Sequence, residues 1–230
     1  MVTINKIKTQ VEQLLGNEDS GHGMEHINRV LDLSIKFAKE EKANIEVVSL
    51  IALLHDVDDY KLFGSDNAKN LPNARLFMEN ANVSKEIQEQ VISELQNFGY
   101  SNRLKGLSPS TIEGKIVSDA DMCDCVGVNG IIRIFTYSLK YNKPFFNKNT
   151  FPIEDLSIEE YQTKCSPSTV GHIFDKALKL KKLMLTDVGK KEIEKRHQIT
   201  VDILYQLFDE ENTPEWKEYL DNYLKKYYDN

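Results

Sequence analysis

Three short stretches of the chain carry residue types that hold metal ions and move protons. Residues 21–30 read GHGMEHINRV, residues 53–61 read LLHDVDDYK, and residues 118–121 read SDAD. A single histidine on a helix is more often a hydrogen-bonded structural residue than a ligand, so the weight rests first on the second stretch. His55 continues the apolar stripe of Val48, Ile51 and Ala52 at helical spacing and so points inward, and Asp56 follows at the end of that helix. A helix C-terminus favours cations, yet Asp58 and Asp59 add further negative charge there. Asp121 repeats the anomaly. It shares a helical face with Val117, Asp124, Val128, Ile131 and Phe135, where an unpaired carboxylate is costly or protonates. A divalent cation removes both difficulties. His26, His55, Asp56 and Asp121 then offer two imidazoles and two carboxylates. This mixed nitrogen and oxygen set suits Mn²⁺, Fe²⁺, Co²⁺ or Ni²⁺ in octahedral coordination, or Zn²⁺ with fewer ligands. Four protein ligands on an octahedral ion leave room for water and a phosphoryl oxygen, which is the arrangement that hydrolysis at phosphorus needs.

The elements that must position these residues are helices. Apolar residues recur at helical spacing almost throughout and alternating runs are scarce, so the fold class is all-α. Asp19 or Ser20 can start a helix running through Ile27, Val30, Leu31, Ile35 and Ala38. A second helix spans about 45–56, and Gly64 and Pro72 punctuate the loop after it. Helices follow near 73–80 and 85–97, then a glycine-containing turn over 98–107, and then the most apolar helical run, 111–135. A connection over 141–152 leads to helices around 170–185, 187–210 and 214–227. Trp216, Tyr219, Leu220, Tyr223, Leu224 and Tyr227 share one face of the last, and such stripes are usually core. The chain is thus expected to be a single domain over 1–230, with a metal-binding helical core over about 18–135 and a C-terminal helical lobe over about 152–230.

The bulk properties narrow the function. A net charge of −7 over 230 residues disfavours nucleic acid or anionic lipid as a partner. No apolar run approaches the roughly 20 residues of a membrane span, so a cytoplasmic protein is expected. The three cysteines, two of them Cys123 and Cys125, lack zinc-ribbon or disulfide spacing and read as reduced thiols. The basic run from Lys176 to Arg196 reads mainly as a solvated helical face. The aromatic face at the C-terminus leaves monomer and homodimer both open.

A histidine ahead of Arg29-Val30, the His55-Asp56 doublet a helix later and the distant Asp121 together resemble the H…HD…D signature of the HD-domain metal-dependent phosphohydrolases. Residues 52–61, 113–124 and 172–197 also resemble the bacterial branch that includes a nucleotide pyrophosphohydrolase, so the resemblance covers about 20–207. It implies an HD-domain helical bundle, with additional C-terminal helices covering the metal site. Its ligands fall on His26, His55, Asp56 and Asp121, with Mn²⁺ the favoured ion and Fe, Co, Ni, Zn or Mg the others compatible with the set. Asp59 takes the place of an acid that orients or deprotonates water, with Asp58 as runner-up. Many members carry Asp where this chain has Gly23.

Expected substrate contacts are His22, one turn before His26; Lys61, just beyond the acids; Arg29, unless it holds a carboxylate behind the ligands; and His172 with Lys176, four apart on a stripe continuing to Leu180 and Leu183. Lys181 and Lys182 are expected to face solvent. The implied activity is hydrolysis of a phosphoester or phosphoanhydride in a small phosphorylated metabolite, with a (deoxy)nucleoside triphosphate giving monophosphate and pyrophosphate favoured. The alternatives are a nucleotidase or phosphodiesterase of the same superfamily, or a non-catalytic metal-containing nucleotide-binding protein. Against that last reading stands the Asp58–Asp59 pair, because extra negative charge brings a structural site no evident gain.

Overall fold

The computed structural model describes residues 2–19, 21–152 and 166–228. Ser20 and the 153–165 stretch of the expected C-terminal lobe lie outside the described residues. Among the described residues all regular structure is helical, as the apolar spacing requires. The chain divides into two compact units, residues 1–124 with 185–190 and residues 125–184 with 191–230. No helix among the described residues is long and apolar enough to cross a membrane.

The first unit is built around α3 (Ile45–Leu54), whose residues from Val47 to Leu54 are all buried. Asn44 starts it by accepting from the Glu46 and Val47 N–H groups. α1 (Val2–Leu15) lays Ile7, Val11 and Leu15 into the core. α2 (Met24–Glu41) packs on α3 with Ile27, Val30, Leu31, Phe37 and Ala38. It begins at Met24, later than Asp19, because Gly21 turns the chain at φ +92 and Gly23 lies against the Glu18 carbonyl. A Cβ on Gly23 would stand 2.3 Å from that oxygen, so a side chain here has no room unless the backbone shifts.

The expected loop after residue 56 contains two short helices, α4 (Tyr60–Phe63) and α5 (Ser65–Asn70), with Gly64 at φ +86 between them. α6 (Pro72–Asn80) starts on its proline. α7 (Lys85–Gln96) is capped by Ser84, and the 98–107 turn contains α8 (Tyr100–Leu104).

α9 (Ile112–Asp124) packs on α2 and α3. Its start is held by Thr111, whose hydroxyl accepts from the Gly114 N–H, and by buried Glu94, which accepts from the Ser110 and Thr111 N–H groups and the Ser110 hydroxyl. Further along α9, the Asp119 carboxylate accepts from the Leu185 and Thr186 N–H groups and the Thr186 hydroxyl, all within the first unit. Burial pushes the Asp119 carboxyl above its ordinary pKa, with hydrogen bonds from Leu185 and Thr186 and the charge of Arg103 pulling the other way.

The expected continuous helix over 111–135 is broken. Val126 is extended, Gly127 sits at φ +79, and its N–H goes to the Thr200 hydroxyl at 2.8 Å. α10 (Gly127–Lys140) is therefore a separate helix in the second unit. Asp121 and Asp124 share a face with Val117, but not with Val128, Ile131 and Phe135.

The second unit also holds α11 (Thr169–Asp175), a 3₁₀ helix (Ala177–Leu183), most of α12 (Asp187–Glu210) and α13 (Pro214–Tyr228). The single helix expected over 170–185 is interrupted at Lys176. Tyr223 donates its hydroxyl to the Phe174 carbonyl at 2.8 Å, and Tyr228 donates to the Leu178 carbonyl. Those are the carbonyls a continuous α-helix would spend on the N–H groups four residues on. The aromatic stripe of α13 is core: Trp216, Leu220 and Tyr223 are buried with Phe174, Leu204 and Phe208.

Candidate metal centre

Three elements of the first unit converge on one point. His26 comes from the first turn of α2, His55 and Asp56 from the end of α3, and Asp121 from the last turn of α9. The Nε2 atoms of His26 and His55 face each other at 3.0 Å. Asp56 Oδ2 lies 3.4 Å and 3.6 Å from these nitrogens, and Asp121 Oδ1 lies 3.5 Å and 4.0 Å from them. An octahedron with bonds of about 2.1 Å has edges of about 3.0 Å and a longest span of about 4.2 Å, so His26, His55 and Asp56 are spaced as ligands on one small ion are, with Asp121 Oδ1 beside the two imidazoles.

The protons point the same way. A carboxylate or a carbonyl can only accept, so His26 Nδ1, 2.8 Å from Asp124 Oδ2, and His55 Nδ1, 2.8 Å from the Ala52 carbonyl, must each carry hydrogen. In the neutral imidazoles both Nε2 atoms then present lone pairs to each other across 3.0 Å. A proton or a metal ion between them removes the repulsion, and carboxylate oxygens of Asp56 and Asp121 lie within 4 Å of the same nitrogens. His26, His55 and Asp56 offer ligand atoms all within 4.8 Å of one another.

Burial raises the Asp56 carboxyl, but the charges of His55 and His22 and hydrogen bonds from His22 and His26 lower it by more, leaving it well below the usual carboxylate range. It is an anion at neutral pH, as a ligand must be. The Phe98 ring lies 5.5 Å from that of His55 and shields it; nothing in the sequence marked Phe98 for this place.

The other predicted site residues divide. His22 Nδ1 donates at 2.9 Å to Asp56 Oδ2, the same oxygen that faces the His26 and His55 Nε2 atoms. Arg29 donates through Nε and an Nη2 hydrogen to the two oxygens of Asp124, at 2.8 Å and 3.1 Å. Of the two roles left open for Arg29, its guanidinium makes the contact to a carboxylate behind His26.

Asp58 is placed at a helix start. Its carboxylate is buried and accepts from the Asn73 and Ala74 N–H groups at the start of α6 and from the Asn67 amide. An acid so occupied caps a helix and is badly placed to exchange protons with water. Asp59 is partly exposed, with Oδ1 accepting from the Lys61 N–H, and the Lys61 side chain is exposed.

His172 and Lys176 lie in the second unit. His172 is on α11, where its Nδ1 is 3.5 Å from the Ser166 hydroxyl, while Lys176 is the residue at which the helix ends, so the inward stripe running on to Leu180 and Leu183 does not form. Lys182 is exposed and Lys181 is half-buried against Glu194. Asp124 is the functional residue that sequence reasoning left without a role. Its signal was a carboxylate three residues after Asp121 on the same face, and it is 1% exposed.

The HD domain family model matches residues 23–125, which span the converging side chains. YpgQ of Bacillus subtilis (strain 168) is 30% identical over 205 residues, covering 88% of this chain and 90% of YpgQ. The crystal structure of YpgQ in complex with ADP superposes with a TM-score of 0.70 at 27% identity, over 90% of this chain and 94% of YpgQ. A Lactobacillus plantarum protein matches with a TM-score of 0.79 at 28% identity, over 91% of this chain and 97% of its own. An HD-superfamily hydrolase from Bacillus thuringiensis matches with a TM-score of 0.69 at 30% identity, over 91% of this chain and 97% of its own.

Proposed function

The chain belongs to the HD-domain family and is a metal-dependent phosphohydrolase, and on that premise we propose that it cleaves a nucleoside or deoxynucleoside triphosphate at the α-phosphorus, giving monophosphate and pyrophosphate. The observation that carries this reading is the opposed pair of Nε2 lone pairs on His26 and His55, flanked by Asp56 and Asp121. The nucleotide is supported by the ADP in the crystal structure of YpgQ, a relative that matches nearly the whole chain.

His26, His55, Asp56 and Asp121 would hold the ion, with Mn²⁺ favoured by the mixed donor set. A bound divalent ion supplies a water of lowered pKa and a positive charge opposite the phosphoryl oxygens. Asp59 takes the proton of the attacking water. Its Oδ1 is anchored by the Lys61 N–H, so the carboxylate is oriented while still reached by solvent. His22 keeps Asp56 turned inward, and Lys61 meets the phosphates from the exposed start of α4.

The test is product release from a panel of ribo- and deoxynucleotides with Mn²⁺, Mg²⁺ or no metal, beside Asp121→Ala. Metal-dependent pyrophosphate release that is lost in the variant is the expected result. Phosphate in place of pyrophosphate moves the reading to a nucleotidase. Wild type that binds nucleotides yet releases nothing moves it to a nucleotide-binding protein without turnover.

A further inference from the structure

α9 carries two carboxylates one turn apart on the same face, Asp121 and Asp124, and only one of them faces the His26–His55 pair. Asp124 sits behind His26 with both oxygens engaged. Oδ2 accepts from His26 Nδ1 at 2.8 Å and from Arg29 Nη2 at 3.1 Å, and Oδ1 accepts from Arg29 Nε at 2.8 Å. His26 and Arg29 lie three apart on α2, so one face of that helix grips one carboxylate with two side chains.

The two-point contact from the planar guanidinium prevents the carboxylate from rotating, and so keeps Oδ2 aimed at the imidazole. It also offsets a negative charge that is 1% exposed, which would otherwise be costly. We infer that Asp124, clamped by Arg29, is a positioning residue that fixes the tautomer and orientation in which His26 presents Nε2 to the metal, and thereby sets the affinity for the ion. The inference rests on the metal reading above and adds a determinant outside the ligand set.

The experiment compares wild type, Asp124→Asn, Arg29→Lys and Arg29→Met. Mn²⁺ affinity is measured by calorimetry, the His26 ring nitrogens are followed by NMR in metal-free protein, and helicity is followed by circular dichroism. An amide at 124 keeps the size of the side chain but cannot accept at both positions. Asp124→Asn should therefore bind Mn²⁺ about 10- to 100-fold more weakly, with wild-type helicity and with the hydrogen of His26 no longer confined to Nδ1. Arg29→Lys, which keeps the charge and loses the fork, should fall between wild type and Arg29→Met.

Folded Asp124→Asn with wild-type Mn²⁺ affinity and an unchanged His26 tautomer overturns the inference. Should Asp124→Asn not fold, partly exposed Arg29 decides: weaker binding in Arg29→Met supports the clamp and wild-type binding overturns it. A wild type that binds no Mn²⁺ overturns the metal reading instead, and the nitrogen signals of metal-free protein then decide the clamp by themselves.

Discussion

Glu94 occupies the space that a side chain on Gly114 would need: a Cβ built there stands 2.1 Å from Glu94 Oε2 and 2.7 Å from the Pro109 Cβ. Glu94 is not free to swing aside, because Ser110 and Thr111 hold both of its oxygens at the start of α9. Gly114→Ala should cost about 1–3 kcal/mol in urea denaturation, and, because α9 carries Asp121, should also weaken Mn²⁺ binding. Unchanged stability would mean that the cap is not rigid.

The adjacent acids Asp58 and Asp59 should separate cleanly. Asp58→Ala leaves the Asn73 and Ala74 N–H groups without their acceptor and should lose about 1–3 kcal/mol of stability. Asp59→Asn keeps an oxygen for the Lys61 N–H, so stability should hold while kcat falls about 10²- to 10⁴-fold. Thermal unfolding and steady-state kinetics on both variants check this, and the reverse pattern would exchange the two roles.

Metal removal should be visible without any substrate. A ligand that binds only the folded chain adds about 2.7 kcal/mol of stability at a free concentration 100 times its Kd. The melting temperature should therefore rise with added Mn²⁺ and fall with a chelator in wild type, and should respond to neither in Asp121→Ala.

His197, in the second unit, provides a pH dependence of stability. Burial, then the charge of Lys181, depress its imidazole pKa from 6.5 to about 4, with Glu194 pulling upward. The unfolded chain therefore takes up a proton between pH 6.5 and about 4 that the folded chain refuses, so stability falls as the pH drops through that window. The full shift converts to about 3 kcal/mol, and screening by solvent reduces it. Urea denaturation at pH 7 and pH 4.5 should show the loss, and His197→Phe, which packs a ring against Tyr228 without titrating, should show a smaller one.

The convergence of His26, His55, Asp56 and Asp121 was legible because residues of that set broke a local rule. His55 sat on an apolar stripe, and Asp56 and Asp121 put anions where a helix end or an apolar face rejects them. Asp124 broke the same rule, but only the folded α2 reveals that its partners are Arg29 and His26. Asp58 looked like Asp59 in sequence; what tells them apart is that α6 starts beside Asp58, a tertiary fact. The helix break at residues 125–127 had Gly127 as a cue, whereas the break at Lys176 had none. Tyrosine hydroxyls about fifty residues further along the chain bond the carbonyls on either side of it.

The helix that delivers the His55-Asp56 doublet has no exposed side over its last two turns, for Val47 to Leu54 are all buried. Few exchanges are tolerated in such a segment, so the doublet is anchored on one of the most constrained helices of the first unit. The short helices α4 and α5 that follow bury none of their residues and tolerate change. Substitutions over residues 60–70 should therefore leave the packing around His55 and Asp56 intact.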